Sequence, residues 1–302
     1  MDNKLQFVDL AASHGTRVHK PGVEHFEYSY KAEITNLYSL TATEKLYQIQ
    51  IVDPGERKKF TFLPGQFVML ELPGIGEAPF SISSSAIRHG DLEFCIRGVG
   101  KMTNFLNRVK RGTTVGISGP FGTHFPVENM AGSDILLIAG GLGIVPLRSP
   151  LMSVLENRSS YGRVDIIYGA REPLELLFTY QYEMWKQFDI NLEIIVDKGD
   201  DKWSGPVGLI TEILQARIDN GTANDFRKNT YAIVCGPPVM FKFVCEMLTR
   251  AGLPMEKMFV SLERRMHCGR GKCCRCNVGS TYTCLEGPVF DYWTVLNLKE
   301  AI

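Results

Sequence analysis

Between residues 29 and 130, apolar and polar positions alternate in short runs. Tyr47, Ile49 and Ile51 alternate with Gln48 and Gln50, the period of a strand with one face buried. Further strands are predicted over 66–72, 80–84, 92–97 and 113–117, separated by the turn signals Pro64-Gly65, Pro73-Gly74, His89-Gly90 and Arg111-Gly112. Short strands at this spacing predict a small antiparallel β-barrel. Between 131 and 261 the pattern changes: 135–139, 164–168, 192–196, 231–235 and 258–260 are unbroken apolar runs, with helix-like segments between most of them. Strands apolar on both faces, alternating with helices, predict an α/β unit with a parallel sheet covered on both sides. One helix is predicted to open at Pro237-Pro238, to bury Val239, Phe243, Val244, Met247 and Leu248, and to close at Gly252. Another is expected to take Ser149 as its N-cap and Pro150 as its first residue.

The two ends differ from this body. Residues 1–28 are polar and weakly periodic, and an extension packed loosely on the body is expected. Residues 262–302 are too few to bury a core alone, so a metal centre is expected to organise them. The 302 residues, 44% hydrophobic and 22% charged, suit two compact domains with this appendage. Lys and Arg number 33, as do Asp and Glu, so net charge draws the chain neither to nucleic acid nor to an anionic membrane. No run of eighteen apolar residues occurs, and the first ten residues carry Asp2, Lys4 and Asp9. A cytoplasmic chain that inserts into no membrane is expected.

Five of the eight cysteines lie between 268 and 284. Cys268, Cys273 and Cys276 have the C-x4-C-x2-C spacing of plant-type [2Fe–2S] sites, and Cys284 follows seven residues later. Gly269 and Gly271 allow a tight loop whose N–H groups turn toward sulfur. Arg270, Lys272 and Arg275 add positive charge around an anionic centre. Structural zinc favours two C-x2-C pairs where this chain has one, and disulfides suit an oxidising compartment. Cys274 is an alternative ligand to Cys273 by spacing, and is expected to stay free; His267 reads as a surface residue.

Glycines also mark three expected strand ends. Gly140-Gly141-Leu142-Gly143-Ile144-Val145-Pro146 follows the first α/β strand and suits close backbone approach to a pyrophosphate, although the third glycine of G-x-G-x-x-G is missing. Tyr168-Gly169-Ala170-Arg171 and Cys235-Gly236-Pro237 stand at two other ends, where parallel sheets bind ligands. Asp197 ends a further strand, where a carboxylate binds a ribose diol and repels a 2′-phosphate; Lys198 acts in the other direction, and a nucleotide without a 2′-phosphate is the expectation. In the barrel, Pro79-Phe80-Ser81-Ile82-Ser83 sets an aromatic beside hydroxyls, and Arg97-Gly98-Val99-Gly100-Lys101-Met102-Thr103 offers a cation and a turn to a phosphate.

The order of barrel, Gly-rich loop, Cys235-Gly236-Pro237 and cysteine cluster resembles the ferredoxin–NADP⁺ reductase superfamily. The runs 261–269 and 286–290 resemble its branch with a C-terminal cluster. That branch holds sulfhydrogenase gamma subunits, one of the subunits of anaerobic sulfite reductase and electron-transfer subunits of dihydroorotate dehydrogenase. The resemblance implies an antiparallel β-barrel FAD domain (29–130), an α/β parallel-sheet NAD(P)-binding domain (131–261) and a [2Fe–2S] module (262–302). It places Phe80 and Ser81 against the isoalloxazine, flanked by Pro79, Ile82 and Ser83, with Ser81 near N5. Arg97, Val99, Gly100, Met102 and Thr103 would meet the FAD phosphates. Gly140, Gly141, Gly143, Ile144, Pro146, Gly169, Arg171 and Asp197 would border the nicotinamide nucleotide, with Cys235, Gly236 and Pro237 facing its ring. Ser81 and Cys235 would thus stand beside the reacting atoms, and Cys268, Cys273, Cys276 and Cys284 would bind the cluster. Ala78 departs from the superfamily, which commonly has an Arg there that helps hold flavin phosphate. The implied activity is an FAD-dependent NAD(P)H oxidoreductase passing electrons to the catalytic redox subunit of a larger complex, such as a hydrogenase, a sulfite reductase or a heterodisulfide-reductase-like enzyme. A self-contained reductase of a diffusible carrier such as ferredoxin, a dihydroorotate dehydrogenase subunit and a zinc-stabilised binding module are the alternatives. No catalytic triad is expected where cofactors carry the chemistry.

Overall fold

The structure is a computed structural model that describes residues 29–220 and 229–298. The extension expected over 1–28 lies outside the described residues.

Six strands form the first sheet: β1 (Tyr30–Ser39), β2 (Glu44–Ile51), β3 (Phe67–Leu72), β4 (Gly76–Ser81), β5 (Asp91–Arg97) and β6 (Thr114–Phe121). Their order is β4-β3-β6-β1-β2-β5, every pair antiparallel. The two edges meet just beyond β4. There the Ser83 N–H donates to the Glu93 carbonyl at 2.9 Å and the Glu93 N–H donates to Ser84 Oγ at 3.2 Å. These bonds tie the two edges together at one end and curl the sheet toward a barrel. Inward residues such as Ile34, Tyr47, Ile49, Phe94 and Ile117 fill it. Two short helices, α1 (Pro54–Lys59) and α2 (Lys101–Leu106), sit in its connections. Strand β1 leaves little trace in the apolar pattern: only Ala32 and Ile34 of its ten residues are buried, and its pairing with β2 slips between Ile34 and Asn36.

The second sheet runs β14-β11-β10-β7-β8-β9. Its parallel strands are β7 (Asp134–Gly140), β8 (Val164–Ala170), β9 (Ile190–Val196), β10 (Thr230–Cys235) and β11 (Met258–Ser261). The expected apolar runs fall within these five. Helices α3 (Ile144–Glu156), α4 (Tyr182–Gln187), α5 (Ile210–Asp219) and α6 (Pro238–Arg250) connect them, and separate apolar clusters pack the two faces. Beyond β11 come the hairpin β12 (Asn277–Val278) and β13 (Thr281–Tyr282), then α7 (Thr283–Glu286), β14 (Val289–Asp291) and α8 (Tyr292–Asn297). Because β14 pairs antiparallel with β11, the cysteine-bearing segment is hydrogen-bonded into the nucleotide sheet.

Two helix expectations need correction. Helix α3 starts at Ile144, directly after a 3₁₀ turn over Gly141–Gly143, and carries Pro150 in its interior. Ser149 is therefore no N-cap; it is fully buried in mid-helix. The missing N–H of Pro150 frees only the Pro146 carbonyl from the helical ladder. Helix α6 does open at Pro238, but it buries Phe241, Val244, Cys245 and Leu248, a set spaced i, i+3, i+4, i+7. Val239 and Phe243 stand 63% and 52% exposed.

One buried charge joins the two sheets. Arg148 of α3 donates to Glu93 Oε2 at 2.6 Å and to the Ser83 carbonyl at 2.8 Å, both at the barrel seam. Its Nε donates to Gln181 Oε1 at 2.8 Å, and its guanidinium lies 4.9 Å from the Phe178 ring centroid. Among the described residues, no helix is long and apolar enough to cross a membrane.

Candidate functional site

A cleft of about 320 Å³ opens where the barrel, the α3 loop and the segment after β11 meet. From the barrel come Phe67, Pro79, Phe80, Ser81, Arg97, Val99 and Thr103; from the sheet side come Leu142, Val145 and Pro146. Glu263, Arg264, Met266 and Pro288 close it from the C-terminal segment. The sequence motifs of two separate domains thus reach one space. Its aromatic and apolar walls suit a flat ring system, and Arg97 suits a phosphate at one end. Arg97 also pairs with the buried carboxylate of Glu44. Burial raises the Glu44 pKa, but hydrogen bonds from Thr41, Arg97 and Thr43 outweigh it and hold the carboxyl below its ordinary value. A half-exposed guanidinium is thereby fixed in the cleft wall.

The other expected residues divide between the cores and the strand and helix ends. Ile82 and Ser83 are fully buried at the barrel seam, and Met102 and Ile144 belong to the cores. Gly100 caps α2, its N–H donating to Thr103 Oγ1 at 2.9 Å. Gly169, Arg171 and Asp197 lie at the carboxyl ends of β8 and β9, where the Asp197 N–H donates to the Ala170 carbonyl at 2.9 Å. Cys235 is fully buried; its thiol lies 3.9 Å from the Ser261 carbonyl, and burial pushes its pKa far up. The Cys235 backbone makes the closer approach to the glycine loop.

Gly143 shows why that loop needs glycine. A Cβ there would overlap the carbonyl group of Cys235 and lie 2.8 Å from the Gly236 nitrogen. All three atoms are backbone, so the loop and the end of β10 must separate to admit it. Gly140 and Gly236 both pack on Met240 in the same joint. Gly143→Ala is expected to cost about 1–3 kcal/mol at this joint and to raise KM for the nicotinamide nucleotide about tenfold, with flavin content unchanged. Steady-state kinetics beside a flavin assay checks this.

The cysteine loop wraps its sulfurs with backbone donors. Gly269 and Gly271 have φ of +65° and +68°, a region that favours glycine. The resulting turns aim the N–H groups of Arg270 and Lys272 at Cys268 Sγ, at 3.4 and 3.3 Å, and that of Gly271 at Cys284 Sγ, at 3.1 Å. Burial raises the Cys268 pKa, but donors from Arg270, Cys273 and Lys272 outweigh it and hold the thiol at about 7. Burial, with the Cys276 sulfur alongside, pushes Cys284 up to about 12. Cys273 acts on the Cys268 sulfur, and both Cys276 and Cys268 act on that of Cys284, so the four thiols share one neighbourhood. Among the described residues, no three His, Cys, Asp or Glu side chains converge on a single-ion site. A C-x4-C-x2-C loop whose backbone amides donate to sulfur fits a two-iron cluster held by thiolates. Cys274, at φ +55°, turns away to the Tyr282 hydroxyl at 3.2 Å.

Cys276 and Cys284 pack with Phe67, Met69, Phe121 and Met266. Phe67 and Met266 also line the cleft. Neither stood out in the sequence, although Met266 is two residues from Cys268.

Known proteins match this organisation part by part. Residues 32–125 match the oxidoreductase FAD-binding domain, 137–246 the oxidoreductase NAD-binding domain, and 263–296 the iron–sulfur cluster binding domain of dihydroorotate dehydrogenase B. Sulfhydrogenase 1 subunit gamma of Pyrococcus furiosus is 43% identical over 275 residues, covering 89% of this chain and 92% of that one. The chain belongs to the cluster-bearing branch of the ferredoxin–NADP⁺ reductase superfamily. Within this branch, a probable dihydroorotate dehydrogenase B (NAD(+)) electron transfer subunit of Methanocaldococcus jannaschii is 35% identical, covering 77% of this chain and 80% of that one. The superfamily fold is also that of an NADH-dependent reduced ferredoxin–NADP oxidoreductase, with a TM-score of 0.68 and 25% identity, covering 88% of this chain and 91% of that one. The chain is an oxidoreductase with FAD-binding, NAD-binding and iron–sulfur domains, as its motifs implied.

Proposed function

We propose that this chain is the electron-transfer subunit of a cytoplasmic redox complex, linking NADH to a partner enzyme through FAD and a [2Fe–2S] cluster. The observation that carries this reading is the shared wall: Phe67 and Met266 face the cleft and also pack with two of the four cluster cysteines. Bound FAD supplies the exchange between hydride and single electrons, and the cluster supplies single-electron transfer.

The chain's own residues position these groups and keep water out. Phe80 and Pro79 offer flat contact, Ser81 a hydroxyl, and Arg97 a fixed charge. The glycine loop brings α3 against the ends of β7 and β10, where a pyrophosphate can approach the backbone. Asp197, exposed at the end of β9, favours a ribose diol over a 2′-phosphate. Relatives named as a sulfhydrogenase subunit and as dihydroorotate dehydrogenase electron transfer subunits support a partner enzyme, and the higher identity of the former favours a hydrogenase-type partner.

Anaerobic titration of the purified, cofactor-loaded chain tests the reading. NADH is expected to bleach flavin and cluster absorbance together, and NADPH to need a higher concentration. Zinc in place of iron and acid-labile sulfide, or a cluster that stays oxidised while the flavin is reduced, would overturn it.

A further inference from the structure

One buried hydroxyl of the cysteine module is left over by the fold. Thr283 is fully buried, and among the described residues its Oγ1 has no hydrogen-bond partner. Two other buried side-chain atoms share that condition, Ser149 Oγ on α3 and Trp185 Nε1 on α4, and both belong to the α/β domain. An unpartnered buried hydroxyl is costly, so native proteins ordinarily supply a partner. A threonine inside a helix uses a carbonyl of the preceding turn. Thr283 has no preceding turn, because it is the first residue of α7.

The backbone fixes where this hydroxyl stands. The Thr283 N–H donates to the Cys276 carbonyl at 3.1 Å, and the next residue is Cys284. Consecutive Cα atoms lie about 3.8 Å apart, so a hydroxyl two bonds from the Thr283 Cα stays close to the two buried ligand cysteines. Cys276 and Cys284 pack with Phe67, Met69, Phe121 and Met266, whose side chains carry no oxygen or nitrogen. Tyr282 also packs there, but its hydroxyl meets Cys274 Sγ at 3.2 Å. Sulfur is therefore the acceptor that this neighbourhood offers. A cluster held by thiolates brings sulfides as well, and its negative charge makes these sulfurs better acceptors than neutral thiols.

We infer that the Thr283 hydroxyl donates to a sulfur of the bound cluster, a thiolate of Cys276 or Cys284 or a sulfide, and so raises the cluster's reduction potential. The inference rests on the electron-transfer reading above. An added electron makes the cluster more negative, so an O–H dipole aimed at sulfur stabilises the reduced form more than the oxidised form. Thr283 exchanges neither electron nor proton; it sets how readily the cluster accepts an electron.

Redox titration of the full, cofactor-loaded chain, followed by the EPR signal of the reduced cluster, tests this. Thr283→Val keeps the side-chain shape and removes the hydroxyl. It is expected to lower the equilibrium constant for one-electron reduction of the cluster about tenfold, which is a potential about 59 mV more negative. Iron, acid-labile sulfide and the flavin potential should stay at wild-type values. Thr283→Ser keeps the hydroxyl and is expected to hold the potential close to wild type. A packing role would give the opposite order, since valine retains the methyl group that serine lacks. An unchanged cluster potential in Thr283→Val, or the same fall in the Val and Ser variants, would overturn the inference. Should Thr283→Val load poorly, Thr283→Ala takes its place: a fall in Ala with none in Ser is expected, and equal potentials would overturn the hydrogen bond. Wild-type protein without iron and acid-labile sulfide would instead overturn the electron-transfer reading.

Discussion

Cys276→Ser is expected to remove iron and acid-labile sulfide from the protein while NADH still reduces the flavin. Cys276 is 2% exposed and pairs with Cys284 on the inner side of the loop, against Phe67 and Met69. A serine hydroxyl there is a poor substitute for thiolate toward iron, and the buried position leaves no room for a replacement ligand from solvent. Electron delivery to a protein partner should fall to background, because on the proposed reading electrons leave the flavin through the cluster that Cys276 helps to hold. NADH oxidation by a small acceptor that reaches the flavin directly should persist at close to the wild-type rate. Cys274→Ser is the matched control: its thiol faces outward to Tyr282, so cluster content and activity are expected to stay close to wild type. Visible spectra with iron and sulfide assays on both variants decide it. Retained cluster in Cys276→Ser, or cluster loss in Cys274→Ser alone, would reassign the ligands.

The cysteine loop was legible because its geometry is local. Spacing within nine residues sets three sulfurs around a loop, and glycines at 269 and 271 supply the positive φ that the loop requires. The parallel strands were legible for a similar reason, since a strand buried on both faces leaves an unbroken apolar run. Phe67 and Met266 were invisible, because they meet only when the chain has folded across two domains. The face of α6 was misassigned because Val239 and Phe243 are apolar yet exposed, while Cys245 completes the buried stripe. Arg148 gave no signal at all. A basic residue in a helix ordinarily faces water, and its partner Glu93 lies 55 positions earlier in the chain.

Arg148→Met is expected to destabilise the protein by about 3–5 kcal/mol, the cost of leaving a buried carboxylate without its partner. At that magnitude the melting temperature should drop by about 10 °C. Arg148 is 3% and Glu93 5% exposed, so solvent cannot take over for the lost guanidinium. Arg88 remains beside Glu93 at 3.2 Å, but its side chain is half-exposed and screened. The pH dependence identifies the cause. Burial raises the Glu93 pKa, yet Arg148, Gln48 and Arg88 together outweigh it and hold the group below its ordinary value. A carboxyl depressed by folding stabilises the wild type above its unfolded pKa of about 4.3, and that contribution disappears as pH falls through the folded value. Without Arg148 the burial effect prevails and the sign reverses: the variant's folded state gains by keeping Glu93 protonated. The gap between the two melting curves should therefore be widest near neutrality, narrow as pH falls, and close only below the wild type's depressed folded value. Glu93→Gln added to Arg148→Met should restore part of the loss at neutral pH, since it removes the stranded charge. A gap that does not vary with pH would assign the loss to the stacking of the Arg148 guanidinium on Phe178, with the ion pair contributing nothing across the joint between barrel and nucleotide sheet.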